Sequence, residues 1–240
     1  MIPDRRPEAG FTLVEILLAV LIAGLVMVGS YSVASQVMGL AEDAKARLEL
    51  ESTATALRLA LANDLGSIIY VERTRGTVPA SMAFSGGIAD TDLSGQADQV
   101  ILTLASAATL DPGLPFPAHA FNRLEYVLRP ETTGTGDAGN ARLVRRERVA
   151  ATVPRRVTVD PNWNETVLAG RLENVQLHFL ETAQTGPVTS WDSQAREQAK
   201  RSPLPGQVHL EATLVVGDRR FPLDIRINLP ARTIAAPRGL

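Results

Sequence analysis

Few side chains in this 240-residue sequence are of types that do covalent or metal chemistry, and their spacing argues against most of it. The three histidines, His119, His178 and His209, lie far apart and share no ligand spacing. His178 and His209 alternate with apolar residues, which places both on the solvent side of strands. There is no cysteine, so thiolate nucleophiles, disulfides and cysteine zinc sites are excluded. No Gly-x-Ser-x-Gly elbow, phosphate-binding glycine loop or His-Glu-x-x-His pair occurs. The stretch Asp90-Thr-Asp-Leu-Ser-Gly-Gln-Ala-Asp98 opens like a calcium loop, with oxygen side chains at alternate positions and a glycine at the turn. Such a loop needs a bidentate glutamate at its twelfth position, and that place is Ile101. It reads as a solvated loop, with calcium binding as the alternative reading. Catalytic, metal and cofactor sites are not expected, and the chain does not read as an enzyme.

One carboxylate stands in a setting that demands a partner. Glu15 is the only charge between Phe11 and Ala41, in a run long enough to cross a bilayer, which takes about 20 mostly apolar residues. An acidic side chain at the centre of a membrane helix costs roughly 2.5–3.5 kcal/mol, less near an end, so its presence points to a function. The rest of the composition is that of a folded domain beside a membrane segment: 45% hydrophobic, 21% charged, net charge −2. That balance, without a basic patch interleaved with aromatics, gives no reason to expect nucleic acid.

The elements that must carry these residues follow from periodicity. No proline occurs between Pro7 and Pro79, and from Leu50 the apolar residues Leu50, Ala54, Leu57, Leu61, Leu65 and Ile68 recur at steps of three and four. One long helix is expected from about Thr12 to Leu65, stopped by Gly66, with Glu49, Glu51, Arg58, Asn63 and Asp64 on its polar face. Strands are expected at 100–104, at 123–129 through Leu124, Tyr126 and Leu128, and at 175–179 through Val175, Leu177 and Phe179. Val208, Leu210, Ala212 and Leu214 alternate before Gly217-Asp218, and Phe221, Leu223, Ile225, Ile227 and Leu229 alternate after it, which marks a hairpin. The fold class is α+β, a long N-terminal helix packed on an antiparallel β-sheet. Loops are expected at 132–140 and 183–206, and a frayed tail at 231–240. Trp163 and Trp191 both fall in loops; Trp163 is expected in the core, and Trp191 is equally compatible with the core and with an interface.

Gly10-Phe11-Thr12-Leu13-Val14-Glu15 at the head of an uncharged helix resembles the signature of type IV pilins and type II secretion pseudopilins. A secretory signal ending at Ser32-Val33-Ala34 fits less well, because the apolar stretch is too long and holds Glu15. A plain signal anchor leaves the carboxylate unexplained. The resemblance implies a leader over 1–10, a prepilin peptidase cut between Gly10 and Phe11, and N-methylation of Phe11. Gly10, without a Cβ, would let the peptidase approach the backbone. Glu15 would then be the fifth mature residue and pair with the N-terminal amine of a neighbouring subunit. Arg5 and Arg6 sit in the leader with Asp4 and Glu8, a weaker positive-inside signal than expected.

Shorter motifs resemble the J-type minor pseudopilins of type II secretion. They are Asn63-Asp64-Leu65 at the helix end, Arg123-Leu-Glu-Tyr-Val-Leu with Arg142-Leu-Val-Arg-Arg-Glu, Val175-Gln-Leu-His-Phe-Leu with Ser190-Trp191-Asp192, and Leu204-Pro205-Gly206-Gln207-Val208. The division this implies is a transmembrane half-helix at 11–41, an amphipathic half at 42–68 and a periplasmic head at 69–230. The protein would be a single-pass inner-membrane subunit at the tip of a pseudopilus. Its partners would be the minor pseudopilins I and K, the major pseudopilin, the prepilin peptidase and the inner-membrane assembly platform. A W-like minor pilin of a type IV pilus shares the helix and central strands, and a signal-anchored periplasmic binding module is the alternative from a different class.

Overall fold

A computed structural model describes residues 12–70, 82–88, 97–107, 120–131, 140–153, 156–159, 162–182 and 184–230. The chain divides into two units, 1–48 and 49–240. Helix α1, Leu13–Gly66, supplies the whole described part of the first after Thr12 and the opening of the second. Its end at Gly66 is where the sequence placed a stop. Ile68, counted with the apolar stripe, lies past that end and bridges Ser106.

The second unit is an antiparallel sheet with the last turns of α1 laid on it. Its strands are β1 (Ser85–Gly87), β2 (Gln99–Ser106), β3 (Ala120–Pro130), β4 (Ala141–Val153), β5 (Arg156–Val159), β6 (Asn164–Leu180), β7 (Ser190–Asp192), β8 (Gln207–Val216) and β9 (Arg219–Asn228). They run in the order β7-β1-β2-β3-β4-β6-β8-β9, with β5 paired to β4. The stripe Leu57, Leu61 and Leu65 packs in one core with Leu104, Leu124, Tyr126, Leu128, Leu143, Leu177, Phe179, Leu210 and Ile225. Of the strand residues, Leu124, Tyr126, Leu128, Leu177, Phe179, Leu210 and Ile225 are ones that period-two alternation assigned to one face. The fold is α+β, of the architecture that pseudopilins share.

Strand β6 explains the curl of the sheet. Its first half pairs with β4, from Asn164 to Leu172, and its second half pairs with β8, from Leu172 to Leu180. Between them the register shifts from Glu173 to Gln176, and Arg171 (φ 52°) and Asn174 (φ 51°) adopt left-handed backbone. Such a bulge bends a strand and raises its twist. The β8–β9 hairpin is as expected, with Gly217 at φ 60° in its turn.

The excursion at 183–206 is not a bare loop. It holds β7 and the short helix α2, Ser193–Gln198, whose N-terminus Asp192 caps through bonds from Gln194 N (2.8 Å) and Ala195 N (3.2 Å). The expected loop at 132–140 and tail at 231–240 fall, but for Asn140, outside the described residues.

Strand β1 passes so close to its neighbours that a side chain does not fit. A Cβ on Gly86 would lie 2.5 Å from Phe179 Cζ and 3.0 Å from the Ile101 carbonyl oxygen. Overpacking of this kind costs about 1–3 kcal/mol. Gly86→Ala is therefore expected to lower the melting temperature of the head in a thermal unfolding measurement, whereas Gly186→Ala, where a Cβ meets nothing within 4 Å, leaves it unchanged.

Candidate functional site

Two places bring polar side chains together in ways apolar packing does not explain: the start of α1, and the end of α1 against the sheet. At the start, Thr12 and Glu15 form a reciprocal cap. Glu15 N donates to Thr12 Oγ1 at 3.3 Å, while Thr12 N and Oγ1 both donate to Glu15 Oε2, at 3.1 and 3.0 Å. This is a capping box, in which the third residue of the helix returns a bond to the cap. The Thr-x-x-Glu spacing carried that signal, and reading Glu15 only as an intermolecular contact missed it. Glu15 Oε1 makes no hydrogen bond among the described residues. Gly10 and Phe11, the expected cleavage and methylation positions, lie outside them.

Behind Glu15 the helix is apolar on every side. Leu13, Ile16, Leu17, Val20, Leu21 and Leu25 are all more than half exposed in the isolated chain. Among the described residues α1 is the one helix long and apolar enough to cross a membrane.

At the other end of α1, sequence reasoning placed Asp64 on the polar face; the structure corrects this. Asp64 is fully buried. Its Oδ2 accepts from Tyr126 Oη at 2.6 Å and from Arg145 Nε at 2.7 Å, and its Oδ1 accepts from Arg145 Nη2 at 3.0 Å. Arg145 Nη1 in turn faces Glu147 Oε2 at 2.8 Å. Directly opposed pairing of Tyr126 with Arg145 across β3 and β4 sets both side chains on the face that α1 covers. Burial, and then the Asp64 carboxylate, push the Tyr126 phenol well above its ordinary value. No part of this cluster reaches solvent, so it can hold the fold but cannot meet a substrate.

The remaining expected residues are placed as follows. Trp191 is buried, stacks near Phe179 at 6.1 Å and donates to the Pro203 carbonyl at 2.8 Å. Trp163 is not in the core; it lies half-buried with the Arg146 and Arg148 guanidinium groups 4.9 and 4.2 Å from its ring centre. Both arginines alternate to the outer face of β4, so the ring covers charge there instead of filling the interior. His209 also departs from expectation: it is buried, with Nε2 3.1 Å from Glu211 Oε1 and 3.0 Å from Asp224 Oδ1. One carboxylate from its own strand, Glu211, and one from the neighbouring strand, Asp224, satisfy it there. His178 is half-buried, and His119 lies outside the described residues. Of the calcium-like loop, residues 90–96 lie outside them too, and Asp98 is held by Arg129 at 2.9 Å. Among the described residues no three metal-ligating side chains converge.

Residues 5–31 match the prokaryotic N-terminal methylation motif. That motif, together with the membrane-length helix and the α+β head, is of the type IV pilin-like and pseudopilin-like kind, whose members are structural subunits. Comparison with curated proteins gave no match.

Two predictions follow from the buried cluster. Removing one partner of a buried ion pair costs about 3–5 kcal/mol, because the other charge stays buried unpaired. Arg145→Met is expected to destabilise the head by that order in denaturant unfolding, and adding Asp64→Leu to recover a large part of it. The second concerns alkali. The Tyr126 proton is held more tightly in the folded chain than in the unfolded one, so its contribution is intact below about pH 10 and is lost as pH rises beyond it. Stability measured by circular dichroism should fall above that pH, and less steeply in Tyr126→Phe.

Proposed function

We propose that the chain is a minor pseudopilin of the J type, sited near the tip of a type II secretion pseudopilus. The observation that carries the reading is the N-terminal methylation motif at the head of a helix that presents apolar side chains on all sides. A surface of that kind is satisfied either by lipid or by other helices, and a subunit that moves from one to the other is a fibre subunit. Support for the J type comes from where its motifs meet. Asp64 of the helix-end motif, Tyr126 of the first central-strand motif and Arg145 and Glu147 of the second converge in one buried cluster.

On this reading the leader ends at Gly10, Phe11 becomes the methylated N-terminus, and the head lies in the periplasm. With minor pseudopilins I and K the protein nucleates assembly of the major subunit on the inner-membrane platform, and the growing fibre pushes folded substrates through the outer membrane. Glu15 does two things in turn. Oε2 closes the helix cap, and Oε1 is left to accept a bond from the N-terminal amine of a neighbour. A carboxylate that is both pre-set by its own helix and short of one partner is suited to fixing register in a bundle.

Glu15→Ala is expected to leave membrane insertion intact, as judged by fractionation, while secretion of the exported substrates falls at least tenfold. Wild-type secretion by that variant would remove the proposed role. Thr12→Val, which breaks the cap but spares the carboxylate, should lie between the two.

A further inference from the structure

The sheet ends in two unlike edges. At one, β7 is three residues long and runs straight into α2. At the other, β9 offers ten residues, and among the described residues it pairs with β8 alone. Antiparallel partners alternate between pairs that exchange two hydrogen bonds and pairs that exchange none. Val216 and Arg219 close the hairpin turn, and Leu229 N donates to the Gly206 carbonyl at 2.9 Å in the same register. The odd-numbered residues of β9 therefore bond to β8, and the even-numbered ones turn their main-chain groups outward. Pro222, which has no N–H to give a ladder, falls on an outward position.

Charge and proline ordinarily keep other strands off such an edge. On β9 the side chains instead form a pattern with a centre. Either side of Ile225 stand Asp224 and Arg226, then Leu223 and Ile227, then Pro222 and Asn228, then Phe221 and Leu229. Laid antiparallel on a second copy about Ile225, the strand sets each Asp224 opposite an Arg226 on the exposed face. On the inner face it sets Leu223 opposite Ile227 and Phe221 opposite Leu229, which carries the apolar rows of the core across the join. Asp224 and Arg226 are more than half exposed and already meet at 2.9 Å on one strand, so opposite charges alternate around the axis. The neighbouring registers fail. An axis at Asp224 or at Arg226 puts like charges face to face, which destabilises a sheet, and one at Leu223 puts Arg226 against Arg220.

We propose that β9 is an interface between two copies of this chain, joined edge to edge with Ile225 on the two-fold axis. A two-fold contact places the same patch on both sides and closes on itself, which is what a strand complementary to its own reverse requires. Asp224 and Arg226 lie at positions whose main-chain groups point outward, so each such pair exchanges two hydrogen bonds, while Pro222 and Asn228 exchange one. A strand of another protein has to match the alternation of charge and apolar side chains with a sequence of its own. A second copy matches it because the sequence is the same. The inference stands on the head alone and does not rest on the fibre reading.

The test uses the full-length chain in its own membranes and exploits its lack of cysteine. Pro222 and Asn228 are exposed and face each other across the join, with Cα atoms about 5.5 Å apart, within the span of a disulfide. A chain carrying both Pro222→Cys and Asn228→Cys is expected to give disulfide-linked dimers on oxidation. Either substitution alone should give at least tenfold less, because each position then lies far from its own copy. Adding Arg226→Asp to the double variant should lower the yield at least tenfold, and adding Asp224→Arg as well should restore it. Circular dichroism of each variant checks that the head is folded. Absence of dimer while both thiols react with a maleimide would overturn the proposal, as would single variants that link as well as the double one. So would charge substitutions without effect, or a link to a different polypeptide in place of a second copy.

Discussion

The fold of the head depends on a carboxylate that α1 carries into the interior at its last turn. Asp64 is fully buried, and it is tolerable there only because three donor bonds reach it, one from Tyr126 and two from Arg145. Those donors come from adjacent strands in exact opposition, so the bonds form only when β3 and β4 are in register and the helix end sits at one height on them. Leucine packing is less demanding: a helix with Leu57, Leu61 and Leu65 could slide a turn and still bury apolar surface. The ion cluster removes that freedom. Its net worth in stability is small compared with its effect on which arrangement is allowed, since a well-packed apolar replacement can match a buried pair.

This fixed end gives meaning to the free one. At Thr12 and Glu15 the polar groups are arranged so that the helix begins cleanly and one carboxylate oxygen has no partner among the described residues. From Thr12 to Glu42 every residue of this stretch is exposed, an apolar surface that the isolated chain cannot satisfy.

Much of this was legible in the residues. The helix limits, the inner faces of β3, β6, β8 and β9 and the Gly217 turn followed from periodicity and one glycine, since burial alternates where the chain is half-buried. What failed were the polar residues inside. Asp64, Arg145 and His209 were assigned outward or not singled out because charge is normally exposed, and only tertiary pairing reverses that rule. No local pattern pairs Asp64 with a side chain 81 positions away. Trp163 failed for the opposite reason: size argued for the core, and two arginines gave it a surface role. The bend in β6 was equally hidden, because Arg171 and Asn174 are not residues that announce a left-handed backbone as glycine does.

The central claim is that Phe11 begins the mature protein and that the apolar helix stays with it. Intact-mass and terminal-peptide mass spectrometry of the chain recovered from membranes tests this most directly. A single species starting at N-methylated Phe11, with Glu15 fifth, is the result the account requires. A chain that still starts at Met1, or one that starts at Ser35 after removal of the helix, would contradict it.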